Sequence, residues 1–416
     1  MRKIAIIGGG AAGMMAAAKA IETNSDCSVL LFEKNAYLGA KVLISGGGRC
    51  NVTTGIHDVR ELLKNYPRGP KFLMSAMFRF PPEKVMAWFE EQGVRLKTEA
   101  DLRVFPISDN GKDIVGALER AMRKGDVEIF CSTAVEEVAR AKGLAHTEEG
   151  KFIVTTKDGR TFEVDAVVLT TGGNAYRHTG STGDGYAFAQ ALGHTLTPLG
   201  PALNSLIVAE KWVKELAGVS FEKVRLTLAD HERLGAFVFT HRGLSGPAVF
   251  ALSSLAAHES ISPQSPLPLT IDFFPDERFD SLDHRLVDLI QKNPHKSVLN
   301  LLDILLPKSL CGPVVLCAQL DSKLKAGSLT KEQRLRIVTL LKGLPLSVVG
   351  RSGGEEFVTA GGIDLAEMNT NTMESKISPG LYCAGELLDV DGFTGGFNLQ
   401  ASWATGALAG ESAAGG

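Results

Sequence analysis

Paired cysteines, long apolar runs and a large net charge are all missing from this sequence. Its six cysteines lie far apart and form no C-x-x-C pair, which argues against a zinc site and against a disulfide scaffold and fits a reducing cytoplasm. No segment approaches the roughly 18 consecutive apolar residues that span a bilayer, so no membrane association is expected. With a net charge of −3, the molecule as a whole is not an obvious polyanion binder.

Several catalytic signatures are missing as well. The sequence contains no G-x-S-x-G, H-E-x-x-H or Walker A pattern, so nothing in it indicates a serine hydrolase, a zinc protease or a P-loop NTPase. What the sequence does contain is glycine, with 45 residues that cluster in a few turns. Clustered glycine is typical of turns that bring the main chain close to a ligand.

The first glycine cluster lies in KIAIIGGGAAGMMAAAKAI, which predicts a strand, a turn and a helix. Gly8 permits the tight turn, Gly10 lets a pyrophosphate approach the backbone, and Gly13 lets helix and strand pack closely. A second strand, CSVLLFE, ends at Glu33, whose carboxylate can accept hydrogen bonds from ribose hydroxyls. The pattern predicts a dinucleotide-binding domain and leaves FAD and NAD both open.

The second cluster follows the acid directly, in EKNAYLGAKVLISGGGRCN. In FAD enzymes of the glutathione-reductase-like group this segment folds back over the pyrophosphate and reaches the flavin, so it favours FAD. Gly46, Gly47 and Gly48 would supply backbone N–H groups at close range, and Lys41 or Arg49 would offset phosphate charge. The alternative is a flexible loop.

Two further turns have the same character. A strand from Val164 to Thr170 breaks at Thr171, Gly172 and Gly173, where many flavoproteins bring the chain close to FAD, and a helix restarts near Asp184. Asp184 suits the helix dipole there, with simple capping as the alternative to a ligand role.

The last turn lies in GLYCAGELLDVDGFTGGFNLQASWATGALAG. A strand runs into Gly385 and Glu386, and a helix opens at Asn398. Its free N–H groups can stabilise negative charge on a reduced flavin, and Asp391 is placed to hydrogen-bond the ribityl chain or the phosphates. A tight loop before a helix is the purely structural alternative.

A second well-formed G-x-G-x-x-G is absent. A relative of glutathione reductase with a dedicated NAD(P)H domain would usually carry one. We therefore expect NADH or NADPH to visit the flavin transiently as electron donor, or another reductant to take that role.

Five blocks of the sequence resemble the HI0933-like family of bacterial flavoproteins, whose members include bile-acid reductase-like, aminoacetone oxidase-like and ribosomal RNA dihydrouridine synthase-like proteins. The blocks are IIGGGAAGMMAA, GAKVLISGGGRCNVT, GSTGDGYAFAQALGH, FTHRGLSGPAVF and VTAGGIDLAEMNTNTMESKISPGLYCAGELLDVDGFTGGFNLQASWATG. The resemblance covers essentially the full length and implies FAD, a Rossmann-type domain built from both ends of the chain, and an inserted domain between them. The chain departs from the family at GGNAYRHTGS, where a small residue followed by Tyr-Pro is more usual.

The fold expected is therefore α/β, with a Rossmann-like (glutathione-reductase-like) FAD domain split into 1–193 and 346–416. Between them lies an inserted β-barrel plus helical domain at 194–345. Short strand-like segments bounded by Gly, Pro and Asp favour a small barrel or sandwich at 194–277. Helical apolar spacing predicts helices at 278–345.

The residues assigned to the cofactor come from these turns and their flanks. They are Gly8, Gly10, Ala12, Gly13, Glu33, Lys34, Lys41, Ser45, Gly46, Gly47, Gly48, Arg49, Cys50, Asn51, Val135, Thr171, Gly172, Gly385, Glu386, Asp391, Gly396, Asn398, Leu399, Gln400 and Ala401. No metal site is expected.

Charge is distributed unevenly along the chain. Between Arg285 and Arg351 there are 11 Lys and Arg residues against four Asp and Glu, a local net charge of +7, so the remainder sums to −10. Such segregation can mark a polyanion-binding face, with solvated helix surfaces as the alternative. No RNP motif or zinc knuckle accompanies it.

Reduction of a polarised C=C bond by a flavin requires a proton donor. Cys50 is one candidate, although a cationic neighbour such as Arg49 would favour the thiolate. His178 is the other, because an ordinary histidine pKa of about 6.5 suits proton transfer. Either residue can instead be structural.

Three functions remain open. The favoured one is an FAD-dependent reductase of a C=C bond, with a uridine of 23S ribosomal RNA as the preferred substrate because of the basic insert and the resemblance. The second is a flavin oxidase of a small amine, or a reductase of a steroid-like metabolite, acting on a small-molecule substrate. The third is a flavin-binding sensor without turnover.

Overall fold

The computed structural model describes residues 1–141, 150–352 and 357–415. The chain divides into two compact units, Met1–Pro201 with Phe357–Gly416, and Ala202–Glu356. The first unit thus joins the two ends of the chain, and the second is continuous in sequence. The breaks fall eight and eleven residues after the positions expected from the sequence, 193 and 345.

The strands in chain order are β1 (Lys3–Ile7), β2 (Ser28–Phe32), β3 (Thr53–Thr54), β4 (Leu96–Thr98), β5 (Arg103–Pro106), β6 (Glu128–Phe130), β7 (Val135–Arg140), β8 (Phe152–Thr156), β9 (Thr161–Val164), β10 (Ala166–Leu169), β11 (Gly200–Ala202), β12 (Leu206–Val208), β13 (Ser220–Leu228), β14 (His231–Phe239), β15 (Gly243–Ser245), β16 (Leu267–Asp272), β17 (Leu344–Arg351), β18 (Val358–Ala360) and β19 (Leu381–Cys383). The helices are α1 (Ala11–Thr23), α2 (Ala40–Ile44), α3 (Val59–Leu63), α4 (Pro70–Arg79), α5 (Pro82–Glu91), α6 (Gly111–Lys124), α7 (Asp184–Ala191), α8 (Pro247–Leu255), α9 (Phe279–Lys292), α10 (Val298–Leu302), α11 (Lys308–Cys317), α12 (Lys331–Lys342) and α13 (Phe397–Gly415).

A five-stranded parallel sheet organises the first unit, in the order β19-β10-β1-β2-β6. Its strands are continuous apolar runs, such as KIAII in β1 and AVVL in β10, and they are almost entirely buried. Continuous runs are what a parallel sheet covered on both faces requires. Because β1, β10 and β19 are adjacent and parallel, the three glycine-rich turns that follow them leave the same edge of the sheet.

The N-terminal and C-terminal helices pack against each other almost backbone to backbone. A Cβ added at Gly406 of α13 would lie 2.4 Å from the carbonyl oxygen of Ala12 in α1, and one added at Gly410 would lie 2.1 Å from that of Ala16. Larger residues there would force the helices apart. This packing ties the last helix of the chain to the helix that follows the first glycine turn.

The second unit contains a closed antiparallel barrel in the order β12-β15-β14-β13-β16-β17, together with α8 to α12. Alternate residues of β13 and β16 fill the barrel, with Leu226 opposite Ile271 and Leu228 opposite Leu269, all fully buried. The expected barrel is confirmed and the sandwich is excluded. The last strand of the barrel, β17, follows the helices and lies outside the expected range 194–277. The sequence does not reveal this, because β17 pairs with β16 across about 70 intervening residues and no local pattern identifies such a distant partner.

In the part of the chain that the structure describes, no helix combines the length and the apolar character that crossing a membrane requires.

Candidate functional site

In the turn after β1, Gly8 and Gly13 lie in close contact with neighbouring main chain, whereas Gly10 faces open space. A Cβ at Gly8 would lie 2.5 Å from the carbonyl oxygen of Thr170, and one at Gly13 would lie 1.9 Å from the carbonyl oxygen of Gly8. A Cβ at Gly10 would meet no atom within 4 Å. The turn therefore closes tightly at its two ends and leaves open space at its middle glycine, as a bound pyrophosphate requires.

Helix α1 begins at this open space. Its N-cap, Gly10, has no side-chain cap, and its first turn contains no acidic residue. The first N–H groups of a helix have no intrahelical partners, and the helix dipole favours an anion there. The residues present fit the diphosphate of a dinucleotide.

Glu33, at the carboxyl end of β2, is held beside the same turn. Its two carboxylate oxygens accept hydrogen bonds from the N–H groups of Gly9 at 2.8 Å and Asn35 at 2.7 Å. Burial raises the pKa of Glu33, and these two backbone bonds oppose the shift. A carboxylate oxygen accepts more than one hydrogen bond, so both retain capacity for a ribose hydroxyl.

The triple glycine forms a left-handed turn. Gly46, Gly47 and Gly48 have φ angles of 56°, 71° and 90°, and a Cβ at Gly47 would meet no atom within 4 Å. Ser45, which precedes them, donates its hydroxyl to the carbonyl of Val42 at 2.7 Å. Three successive positive φ angles require glycine, and the open side leaves main chain available to a ligand.

The sequence suggested that the charge of Arg49 would favour a thiolate at Cys50, and the structure does not show this arrangement. Arg49 binds the carboxylates of Glu99 and, at 2.8 Å, Asp109, and its guanidinium lies 3.8 Å from the ring centroid of Phe105. Its charge is therefore already matched by two acids. Cys50 is fully buried, and burial raises the pKa of its thiol to about 12. The thiolate that a neighbouring cation would favour is wrong, because burial disfavours the charged form of the thiol and Arg49 pairs with Glu99 and Asp109 instead.

Lys41 forms an ion pair that connects its own segment, after β2, with the turn after β19. Its Nζ lies 2.6 Å from Oε2 of Glu386, whose Oε1 accepts the N–H of Thr359 at 2.9 Å. A Cβ added at Gly173 would lie 2.8 Å from Oε1 of Glu386. The segment after β2 and the turns after β10 and β19 therefore meet at a single carboxylate.

The N-terminus of α13 is fixed by Asn51. In the amide orientation that satisfies both of its ends, Asn51 accepts the N–H of Gly396 at 2.9 Å and donates to the carbonyl of Thr53 at 3.0 Å. The first intrahelical bond runs from the N–H of Gln400 to the carbonyl of Gly396. The N–H groups at 397–399, including that of half-buried Leu399, precede it and have no intrahelical acceptor.

Three side chains assigned to the cofactor are engaged elsewhere. Gln400 is fully buried between the hydroxyl of Thr53 and the carbonyl of Phe80, at 2.6 and 2.9 Å. Asp391 is fully buried in a two-pronged ion pair with Arg68, whose Nη2 lies 2.6 Å from Oδ2. With Cys50, these side chains have no surface that a ligand could contact in this conformation.

The residues around these three hold the loop before α13. Asn398 accepts the N–H of Gly392 at 2.8 Å and donates to its carbonyl at 2.7 Å, and Ala401 is buried. No signal in the sequence points to Arg68, a single cation in the turn NYPRGP that lies 323 residues from its partner. Only the fold brings it to Asp391.

The turn after β10 contains a polar atom with no partner. Among the described residues, the Thr171 hydroxyl is buried without a hydrogen bond, and so is that of Tyr186. Burial raises the pKa of Tyr186, and the carboxylates of Glu386 and Asp389 raise it further. Native proteins rarely leave such groups unsatisfied, so these hydroxyls fit a site that a polar ligand or water completes.

Lys34, Val135 and Ala12 are further residues assigned to the cofactor. Lys34 binds Asp184 at 2.6 Å, beside the first turn of α7, so the aspartate serves an ion pair as well as the helix dipole. Val135 is buried at the start of β7. Ala12 is buried, and its Cβ lies 2.9 Å from where a Cβ at Gly385 would be.

His178 is exposed on the short turn Arg177–Thr179, with its ring edge-on to that of Tyr176 at 5.7 Å. The Tyr176 ring in turn lies 5.8 Å from the Nζ of Lys41. His178 is thus near the point where the turns meet, whereas Cys50 is sealed from solvent. Among the described residues there is no group of three or more His, Cys, Asp or Glu that could hold a metal ion.

Comparison with known proteins matches this arrangement to a family. The HI0933-like protein Rossmann domain family matches residues 2–412. The chain is 32% identical to the 3-dehydro-bile acid delta(4,6)-reductase of Clostridium scindens over 420 residues, covering 100% of this chain and 99% of that protein. It is 30% identical to the ribosomal RNA dihydrouridine synthase of Escherichia coli over 405 residues, covering 96% and 95%.

Solved structures share the fold at low identity. The open conformation of a flavocytochrome c3 fumarate reductase matches with a TM-score of 0.50 and 17% identity, covering 100% of this chain and 78% of that chain. The 3-ketosteroid delta1-dehydrogenase of Sterolibacterium denitrificans matches with a TM-score of 0.51 and 13% identity, covering 100% of both chains. The chain belongs to the HI0933-like family and is an FAD-dependent oxidoreductase.

Proposed function

We propose that this protein reduces a ring C=C bond conjugated to a carbonyl, with a uridine of 23S ribosomal RNA as its preferred substrate. The observation that carries the reaction type is that two relatives of about full length, at 32% and 30% identity, are named for saturating such a bond, one in a bile acid and one in a uridine. When bound, FAD supplies the hydride for this reaction.

The proposed division of labour follows the geometry of the turns. The N–H groups at the start of α1 would hold the diphosphate beside Gly10, and Glu33 would hold a ribose. The N–H groups at 397–399, which precede the first intrahelical bond, would stabilise negative charge on the reduced flavin. Glu386, held by Lys41, completes the junction of the turns.

His178 is proposed as the proton donor. It is exposed beside this junction and can reach a substrate that enters from solvent. Cys50 is a weaker candidate, because its buried thiol has a pKa raised to about 12 and no exposed surface. A His178→Gln variant should therefore lose turnover while leaving reduction of the bound flavin by NADH or NADPH unchanged. An equal loss in both half-reactions would contradict the assignment.

RNA as substrate is supported by a basic surface in the second unit. Lys292, Lys296, Lys323 and Lys325 are exposed, and a backbone bridge between Ser297 and Lys325 sets their two segments side by side. Other cations of the same region are used internally: Arg334 pairs with Asp283 and Lys342 with Asp272, both at 2.7 Å. The four exposed lysines are the ones proposed to contact phosphates.

The RNA contact has its own test. A double variant, Lys296→Glu with Lys325→Glu, should bind a 23S RNA transcript more weakly and lower the slope of log K against log salt by about 1 for each phosphate that the protein no longer neutralises. The matched control reverses two exposed lysines of the first unit, Lys71→Glu with Lys112→Glu, and should leave binding unchanged. Equal weakening by both pairs would mean that net charge alone, and no particular surface, attracts the RNA.

A steroid-like substrate is the second candidate, favoured by the 32% identity with the bile-acid reductase over the whole chain. One experiment separates the two. The holoprotein is reduced anaerobically with NADH or NADPH, and reoxidation of the flavin band is followed after adding the RNA transcript or a 3-oxo-4,6-diene bile acid. Reoxidation by the RNA together with dihydrouridine in the product supports the proposal, whereas reoxidation by the bile acid alone refutes the RNA substrate. Reduction of the flavin by a small amine, followed by its reoxidation by O₂ with formation of hydrogen peroxide, would identify an oxidase.

The compartment proposed is the cytoplasm, on the ground that all six cysteines are free thiols.

A further inference from the structure

Tyr176 has an unusual backbone conformation. Its φ and ψ are 55° and 51°, in the left-handed region that bulky residues rarely adopt. Its carbonyl accepts the N–H and the hydroxyl of Thr179, both at 2.8 Å, and these bonds hold the turn. Residues kept in this region against their preference cluster at functional sites, so the position of this ring calls for an explanation.

The turn that carries Tyr176 is braced on both sides. The N–H of Asn174 donates to the hydroxyl of Thr359 at 2.7 Å, and the side chain of Arg177 donates to the amide oxygen of Asn174. The ring therefore projects from a fixed support. The residue as a whole is half-buried.

The ring is one half of an aromatic pair. The ring centroids of Tyr176 and Phe357 are 5.8 Å apart with an interplanar angle of 29°, a stacked arrangement. The ring of His178 lies edge-on to Tyr176 at 5.7 Å and 82°. We call Tyr176 and Phe357 the aromatic platform.

The platform lies where the cofactor turns meet. The Nζ of Lys41 is 5.8 Å from the Tyr176 ring centroid and 2.6 Å from Glu386. Tyr176 also follows Gly173 by three residues, and a Cβ at Gly173 would touch the same carboxylate. An aromatic surface, the ammonium group of Lys41 and the proposed proton donor thus lie close together in the first unit.

We propose that the aromatic platform stacks against the planar, conjugated ring of the substrate. The inference rests on the proposed function and narrows it to substrates whose reacting C=C bond lies in a flat ring. Saturating that bond puckers the ring, and a puckered ring has less area for stacking. The platform then binds the unreduced ring more tightly than the reduced one, which favours product release.

The test measures equilibrium binding to the oxidised holoprotein, without turnover, from the shift of the flavin band. The probes are two matched pairs: a uridine-containing 23S RNA fragment with its dihydrouridine counterpart, and a 3-oxo-4,6-diene bile acid with its saturated 3-oxo counterpart. Base stacking on an aromatic side chain contributes about tenfold in affinity. Wild type and Tyr176→Phe should therefore bind the planar member of one pair about tenfold more tightly than the saturated member.

Removing the ring should remove the preference. Tyr176→Leu and, independently, Phe357→Leu should bring the two affinities of that pair to within about twofold, with most of the loss on the planar probe. Phe78→Leu, which removes an exposed ring of α4, is the control and should keep the wild-type preference. Thermal unfolding and the flavin spectrum establish that each variant is folded and loaded.

Two results would overturn the platform: no preference for the planar member in either pair with wild type, or an undiminished preference in both leucine variants. Reduction of the double bond is measured separately, by reoxidation of the prereduced holoprotein. A protein that prefers the planar probe and never reduces it would refute the proposed function and support the platform. A protein that reduces the probe without any preference would refute the platform alone.

Discussion

A methyl group at Gly10 should weaken FAD binding without unfolding the protein. Gly10 is the N-cap of α1 with φ −81° and ψ −166°, values that alanine adopts without strain, and a Cβ there would meet no protein atom within 4 Å. The free energy of unfolding of the apoprotein should thus change by less than about 0.5 kcal/mol. In the holoprotein the methyl group would occupy the space proposed for the diphosphate.

The size of the effect follows from the hydrogen bonds that the methyl group prevents. Hydrogen bonds to a charged group contribute about 1.5–3 kcal/mol each, so displacing the diphosphate from one N–H weakens binding by about 10- to 150-fold. The assay titrates FAD into apoprotein and follows flavin fluorescence, with urea unfolding of the same apoprotein in parallel.

Two matched variants define the comparison. In Gly13→Ala the new Cβ would lie 1.9 Å from the carbonyl oxygen of Gly8, so this variant should lose folding stability as well as FAD. In Gly312→Ala, within α11, the Cβ also meets no atom within 4 Å, and FAD affinity should equal that of wild type. Wild-type FAD affinity in Gly10→Ala would show that the open space beside Gly10 is not the diphosphate site.

Three further predictions concern buried groups. Cys50 should resist alkylation by iodoacetamide in the native protein at pH 8 and react after unfolding, because burial raises its pKa to about 12; rapid native labelling would contradict this. Replacing Arg68 by Leu removes the cation that pairs with the buried Asp391 carboxylate. The free energy of unfolding, measured in urea, should fall by about 3–5 kcal/mol. A loss under about 1 kcal/mol would show that the pair does not behave as a buried ion pair. Burial raises the pKa of Glu33 above its ordinary 4.5, so the protonated side chain stabilises the folded apoprotein below pH 4.5, and this stabilisation is lost as pH rises through the folded pKa. Wild type should therefore lose stability relative to Glu33→Gln as pH rises from 4.5 through the folded pKa. A gain in stability over this pH range would mean that the pKa is lowered instead.

What the sequence predicts well is what local chemistry determines. The roles of Gly8 and Gly13 are visible in the sequence because a strand, a tight turn and a helix must close within a few residues, and the structure has the contacts that exclude a Cβ there. The Rossmann-like fold and the barrel follow in the same way from apolar runs and turn residues.

What the sequence misses is contact between segments far apart in the chain. Arg68 pairs with Asp391, 323 residues away in the sequence. Tyr176 stacks on Phe357, which is separated from it in the sequence by the whole second unit. The prediction of a thiolate at Cys50 was wrong for a related reason. Its position next to Arg49 in the sequence does not show whether the thiol is buried, and burial raises the thiol pKa.

The glycine-rich turns at the beginning, middle and end of the chain are proposed to hold one FAD molecule. The decisive measurement titrates FAD into wild-type apoprotein and, in parallel, into Gly10→Ala. Wild type should saturate at one FAD per chain, and the folded variant should bind FAD at least about tenfold more weakly. A folded wild-type protein that takes up no FAD at micromolar concentration would contradict this proposal.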